Sequence, residues 1–129
     1  MVRSITSTRA AQHKNPVPNA AMHGGLLVTS GILGKDLKTG DYPQDKAEQI
    51  ALVFDYLEAI LETAETTLQN VIKLDLYFAD KDDRTLANPH WLRLWPDADR
   101  RPARQAHKTE LPKGCCLQIV AMVVLDRSS

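Results

Sequence analysis

The stretch Cys116–Leu125 reads Cys-Leu-Gln-Ile-Val-Ala-Met-Val-Val-Leu, and no other part of the chain leaves so few choices of fold. A strand with one wet face alternates apolar and polar residues, whereas this one is apolar on both and needs cover on both. A helix can supply one cover. In a chain of 129 residues with only two helical patterns, the second cover is open to another subunit.

Those two helices are readable from spacing. Between about Asp45 and Thr66 the apolar residues Ile50, Val53, Phe54, Leu57, Ile60, Leu61 and Ala64 recur three and four apart, with Glu48, Asp55, Glu58 and Glu62 largely opposite. A second helix is expected within Thr85–Trp95, with Pro89 in its first turn after Asn88 and Pro96 ending it. Strict alternation of Ile72, Leu74, Leu76 and Phe78 with Lys73, Asp75 and Tyr77 predicts a strand. Another is expected over about Ala103–Glu110. Gly24-Gly25 between Ala20–His23 and Leu26–Gly31 predicts a hairpin, since both glycines tolerate positive φ. Pro16 and Pro18 keep residues 15–19 extended or turned. Gly31, Gly34 and Lys38-Thr39-Gly40 mark a loop that ends at Pro43. The order is hairpin, helix, strand, helix, two strands, which is an α+β mixed sheet with both helices on one face. One domain is expected over 1–129, with residues 1–14 as an N-terminal strand or arm.

Charge and composition exclude several classes of function. Lys plus Arg equals Asp plus Glu at 16 each, so no global field draws the chain to nucleic acid or to an anionic membrane. No apolar run approaches the roughly 20 residues of a membrane span, and the N-terminus lacks the apolar stretch of a secretory signal. Adjacent Cys115 and Cys116 make no disulfide framework and are expected to be small buried residues, which suits a reduced, cytoplasmic protein. No phosphate-binding glycine loop, zinc spacing or serine elbow is present. Trp91 and Trp95 are expected to anchor core or interface, and His90 beside them to pack or face solvent.

Arg100-Arg101-Pro102-Ala103-Arg104 is the local feature that stands out. Arg100 and Arg101 read as a solvated basic turn. Arg104 begins a strand, where a fixed guanidinium can grip a carboxylate through two points.

Read together, Thr29-Ser30-Gly31, Lys38-Thr39-Gly40, Asn70-Val71-Ile72-Lys73, Asn88, Arg101-Pro102-Ala103-Arg104, Leu111-Pro112-Lys113-Gly114 and Gln118-Ile119 resemble the Rid family, the YjgF-like reactive-intermediate deaminases formerly called endoribonuclease L-PSP. The resemblance runs over residues 15–125. It implies a chorismate-mutase-like fold and a homotrimer whose sheets form a barrel with clefts between subunits. It also implies hydrolysis of 2-imino acids, such as 2-iminopropanoate and 2-iminobutanoate, to 2-oxo acids and ammonia. On this resemblance Arg104 holds the substrate carboxylate, and backbone near Gly31 and Ala106 lines the pocket. Asn88 matches a frequent asparagine there, read as more structural than catalytic. An iminium carbon is already electrophilic, so orienting the acid and placing a water suffices without metal or organic cofactor.

Two departures bear on activity. Deaminating members carry a glutamate where this chain has Gln118, and a carboxamide orients water but does not take its proton. Val17-Pro18-Asn19 stands where the family often has a pocket tyrosine. The Arg104–Pro112 segment is also one residue short. His107 and Glu110 are candidate substitute bases, although alternation points His107 away from the face of Arg104. Three functions follow: an imine deaminase or related hydrolase of a small carboxylate-bearing substrate, a non-catalytic binder of such carboxylates, and an RNA-binding protein or ribonuclease. The last has the arginine run, Lys108 and Lys113 behind it, but lacks net charge and a stacking platform.

Overall fold

The computed structural model describes residues 1–126. Its sheet joins β1 (Arg3–Ile5), β2 (Ala20–His23), β3 (Leu26–Thr29), β4 (Ile32–Leu33), β5 (Val71–Phe78), β6 (Ala103–Lys108) and β7 (Leu117–Val124). The strand order is β1-β2-β3-β7-β5-β6, with β4 also paired to β7. Two helices, α1 (Lys46–Thr63) and α2 (Arg84–Leu94), complete the fold. Every pairing is antiparallel except β5 with β6, which α2 connects as a crossover.

The strand that set the problem lies in the middle of the sheet. Leu117, Ile119, Ala121 and Val123 of β7 are fully buried together with Leu74, Leu76 and Phe78 of β5. Ile50, Val53, Phe54, Leu57, Ile60 and Leu61 of α1 join them in one core. That is the face the helices cover. On the other face of β7, Val120 is half-buried while Met122 and Val124 are exposed. Their neighbours across the ladder, Val28 and Leu26 of β3, are exposed too. Within one chain the second cover is therefore missing.

Local chemistry explains the element ends. The Asp45 carboxylate accepts the Ala47 N–H at 2.9 Å and caps α1. The helix stops at Thr63, short of the Thr66 expected from periodicity, because Glu65 turns into the left-handed region at φ 60° and the Thr66 N–H returns to the Leu61 carbonyl. Gly24 and Gly25, at φ 60° and 84°, form the expected hairpin turn. Asp36 organises the Lys38–Gly40 turn by accepting the Lys38 N–H at 2.7 Å. The loop read from Gly31 to Pro43 contains the two-residue strand β4, too short for any periodicity to announce. Strand ends otherwise fall within two residues of expectation.

Pro89 corrects the sequence reading. It lies inside α2, since the helix begins at Arg84, one residue before the expected window and well ahead of Asn88. Its missing N–H would have paired with the carbonyl of Thr85, an exposed residue whose carbonyl water can satisfy, so the helix accommodates it. The N-terminal segment is held by Asn19. Its side chain accepts the Ser7 N–H at 2.9 Å and donates to the Ala11 carbonyl at 3.2 Å, while its own carbonyl accepts the Ser30 N–H at 2.9 Å.

Candidate functional site

The arginine run divides into three roles. Arg100 lies exposed in a short 3-10 turn over Ala98–Arg100. Arg101 is a latch: its Nε donates to the Trp95 carbonyl at 2.8 Å and one Nη to that of Pro96 at 3.3 Å. That latch ties the end of α2 to the start of β6. Trp95 is itself buried and donates its indole N–H to the Leu68 carbonyl at 2.9 Å, so the whole connection is fixed from both sides.

Arg104 is presented from this anchored turn. It sits on β6 beside Leu74, on the helix-covered side of the sheet, with its guanidinium carbon 5.1 Å from the centre of the Trp91 ring. The ring shields one face of the guanidinium and leaves its edge free to donate. Burial, and then the neighbouring charge of Arg84, push the Arg104 pKa below its ordinary value, although a guanidinium stays charged at any physiological pH. Among the described residues no carboxylate pairs with it. Arg84, Thr85, Asn88 and Ala106 line the same open cleft. A half-buried cation without an internal partner is costly to keep, and an anionic ligand is what relieves that cost.

Gly31 and Gln118 form a second cluster. Between Val28↔Met122 and Ile32↔Ile119, the β3–β4 side has one residue more than β7, which makes a bulge at Thr29-Ser30-Gly31. The Thr29 hydroxyl repairs the ladder by accepting the Ala121 N–H at 2.9 Å. Beside the bulge the Gln118 carboxamide lies against Gly31 so closely that a Cβ there would fall inside it. Glycine at 31 is thus set by side-chain approach, with no positive φ involved.

The two clusters do not meet within one chain. Gln118 pairs with Tyr77, on the open face, whereas Arg104 pairs with Leu74, three residues earlier on β5 and on the covered face. The structure therefore groups Arg104, Asn88 and Ala106 in one place and Gly31 with Gln118 in another. His107 points away from Arg104, as alternation predicts. On the open face its Nε2 lies 3.0 Å from an Asp75 oxygen, and its ring stacks on Tyr77 at 4.5 Å. Glu110 is exposed beyond the end of β6.

Other residues singled out by sequence fall into packing. Cys115 and Cys116 are buried free thiols. Burial above all, with the fields of Asp83 and Cys115, pushes the Cys116 thiol up to about 11, and burial raises that of Cys115 as well. His90 stacks on Phe54 at 5.2 Å, and burial together with Arg93 lowers its pKa. Sequence reasoning missed Arg84, although its i, i+4 relation to Asn88 on one helix was available. It also missed Gln49. No three metal-ligating side chains converge among the described residues.

Comparison with known proteins places the chain and its fold. The sequence profile described as endoribonuclease L-PSP matches residues 8–125. The RutC family protein PH0854 of Pyrococcus horikoshii is 30% identical over 124 residues, covering 95% of this chain and 97% of that protein. The 2-iminobutanoate/2-iminopropanoate deaminase of Escherichia coli is 26% identical over 126 residues, covering 96% and 98%. Among solved structures, RidA from the Antarctic bacterium Psychrobacter sp. PAMC 21119 superposes with a TM-score of 0.86 at 26% identity, covering 95% of this chain and 99% of that one. The mixed sheet with two helices is the fold these proteins share.

Proposed function

Because this chain belongs to the Rid family, the one described as endoribonuclease L-PSP, we propose that it hydrolyses small 2-imino acids to 2-oxo acids and ammonia, at a site divided between neighbouring copies. The observation that carries this reading is Arg104, a half-buried guanidinium stacked on Trp91 and without an acid partner among the described residues. The deaminase named among its relatives supplies the reaction class.

The division of the site rests on two observations. Arg104 and Gln118 occupy opposite faces of one sheet, and the apolar row Leu26, Val28, Met122 and Val124 is uncovered. In the proposed assembly, burial of this row sets the Gly31–Gln118 cluster of one copy against the Arg104 cleft of the next. A homotrimer is the assembly proposed.

At such a site the work is orientation. Arg104 grips the substrate carboxylate, and the Asn88 carboxamide and the backbone of Ala106 line the same cleft. The Gln118 carboxamide holds a water against the iminium carbon. Water adds its oxygen to that carbon, its protons pass to nitrogen, and the carbon–nitrogen bond breaks to leave the 2-oxo acid and ammonium. No cofactor takes part in that balance. With Gln118 in place of a carboxylate, proton removal falls to solvent or to the leaving nitrogen, so turnover is slower than a carboxylate allows.

Gln118 also favours a second reading, in which the same cleft binds 2-oxo acids without turnover. A coupled assay separates the two. Imino acids are generated in situ by an amino-acid oxidase or dehydratase, and oxo-acid release is followed with and without the protein. Accelerated release supports the hydrolase. Unchanged release with measurable 2-oxobutanoate binding supports the binder, and neither effect removes the carboxylate site.

A further inference from the structure

The cleft at Arg104 holds a second guanidinium that the reaction just described does not require. Arg84, the first residue of α2, lines the same cleft as Arg104, Thr85, Asn88 and Ala106. Its charge acts on Arg104 directly, as the second cause of the lowered Arg104 pKa after burial. Two like charges brought into one cleft repel, and the fold keeps them there without an internal acid.

Of the acids beside Arg84, namely Asp80, Asp82 and Asp83, none forms an ion pair with it among the described residues. An Asp80 oxygen accepts the Asp82 N–H at 2.9 Å, and Asp83 takes the Lys46 ammonium at 3.0 Å. The Arg84 side chain is exposed but tied at its stem, because its Nε donates to the Lys81 carbonyl at 3.0 Å. That bond fixes the stem and leaves the terminal nitrogens free. Among the described residues neither Arg84 nor Arg104 forms an ion pair. The Asn88 carboxamide, one helical turn after Arg84, adds donors of its own.

We infer that Arg84 is a second anion anchor, and that the substrates of this cleft are 2-imino acids, with their 2-oxo products, that carry a second carboxylate at the far end of the chain. This rests on the proposed role of Arg104 as grip for the first carboxylate. A monocarboxylate neutralises one guanidinium and leaves the other without a counter-ion. A dicarboxylate neutralises both, and each end gains charge-assisted hydrogen bonds. Arg84 thus selects among carboxylates by charge at the distal end, and the water-bearing Gln118 is not involved.

The test compares two five-carbon 2-oxo acids that differ at the distal end, 2-oxoglutarate and 2-oxopentanoate. Their affinities are measured by calorimetry on the assembled wild type, Arg84→Gln and Arg84→Lys, with sedimentation confirming equal assembly. The wild type should bind 2-oxoglutarate about ten-fold more tightly. Arg84→Gln should bring the ratio close to one, and Arg84→Lys should restore a preference, because the charge returns. Equal affinities in wild type, or a preference that persists in Arg84→Gln, overturn the second anchor while leaving the first intact. Failure of both acids to bind removes the carboxylate grip of Arg104, and the second anchor with it.

Discussion

Gln49 and Arg104 are both polar side chains drawn into the fold, and they differ in what satisfies them. Gln49 on α1 is 1% exposed. Its Nε2 donates to the carbonyls of Gly114 at 2.9 Å and Pro43 at 3.2 Å, and its Oε1 accepts the Cys116 N–H at 2.7 Å. Every hydrogen-bonding atom of the carboxamide is spent inside the chain, tying two loops to one helix. Arg104 spends none of its donors among the described residues. A closed set of bonds marks a structural part, because adding a ligand there would break something. An open set at a half-buried charge marks a place where a ligand completes the structure.

The contrast predicts which variants harm the fold and which harm only binding. Gln49→Leu should be the most destabilising change, by about 3 kcal/mol, because the buried Cys116 N–H loses its partner and the carbonyls of Pro43 and Gly114 lose theirs. Urea unfolding measures it. A loss under about 1 kcal/mol would mean that water replaces the carboxamide and that the bonds were not structural.

Arg104→Lys should do the reverse. Its fold should persist, and 2-oxobutanoate affinity should drop by about 1.5–3 kcal/mol, because lysine keeps the charge but not the planar two-point grip. An affinity loss below about threefold in calorimetry would sink the grip.

Gln118→Glu sharpens the contrast from the other half of the site. A carboxylate there can take a proton from the attacking water, and the side chain scarcely changes size. The deaminase rate should rise about ten-fold, with weaker affinity for an anionic substrate. Steady-state kinetics on both proteins at matched assembly reads this out. A lower rate in the glutamate variant would show Gln118 adapted to another task.

The smallest effect concerns the thiol beside the Gln49 clasp. The folded pKa of Cys116 lies above its unfolded value, so its contribution to stability is complete below about pH 8.5. That contribution is lost as pH rises toward about 11. Alkylation of native protein at pH 8 should accordingly be slow, and rapid labelling of Cys116 would contradict its burial.

Sequence made the fold legible where periodicity is long. The 3.6-residue pattern of α1, the alternation in β5 and the double apolarity of β7 each survive intact in the structure. Short elements carry no such signal, which is why β4 and the interior position of Pro89 escaped. The candidate residues were legible as a set and not as an arrangement. Alternation alone separates Arg104 from His107, but relating Arg104 to Gln118 requires the register of β5 between them. Arg101 looked like solvated charge because the carbonyls it latches belong to a turn whose shape no local pattern gives. Asn19 was visible only as a departure from a family tyrosine, whereas its bonds to Ser7, Ala11 and Ser30 make it the clasp of the N-terminal segment.

The central claim is that the site is divided between copies of the chain, with the Arg104 cleft from one and the Gly31–Gln118 cluster from the next. Light scattering with calorimetry on the same samples, over a dilution series with 2-oxobutanoate, tests it most directly. The account predicts a species of three times the 14.4 kDa chain mass that binds the ligand, with binding weakened in step with dissociation. A 14.4 kDa species that binds with undiminished affinity would contradict it.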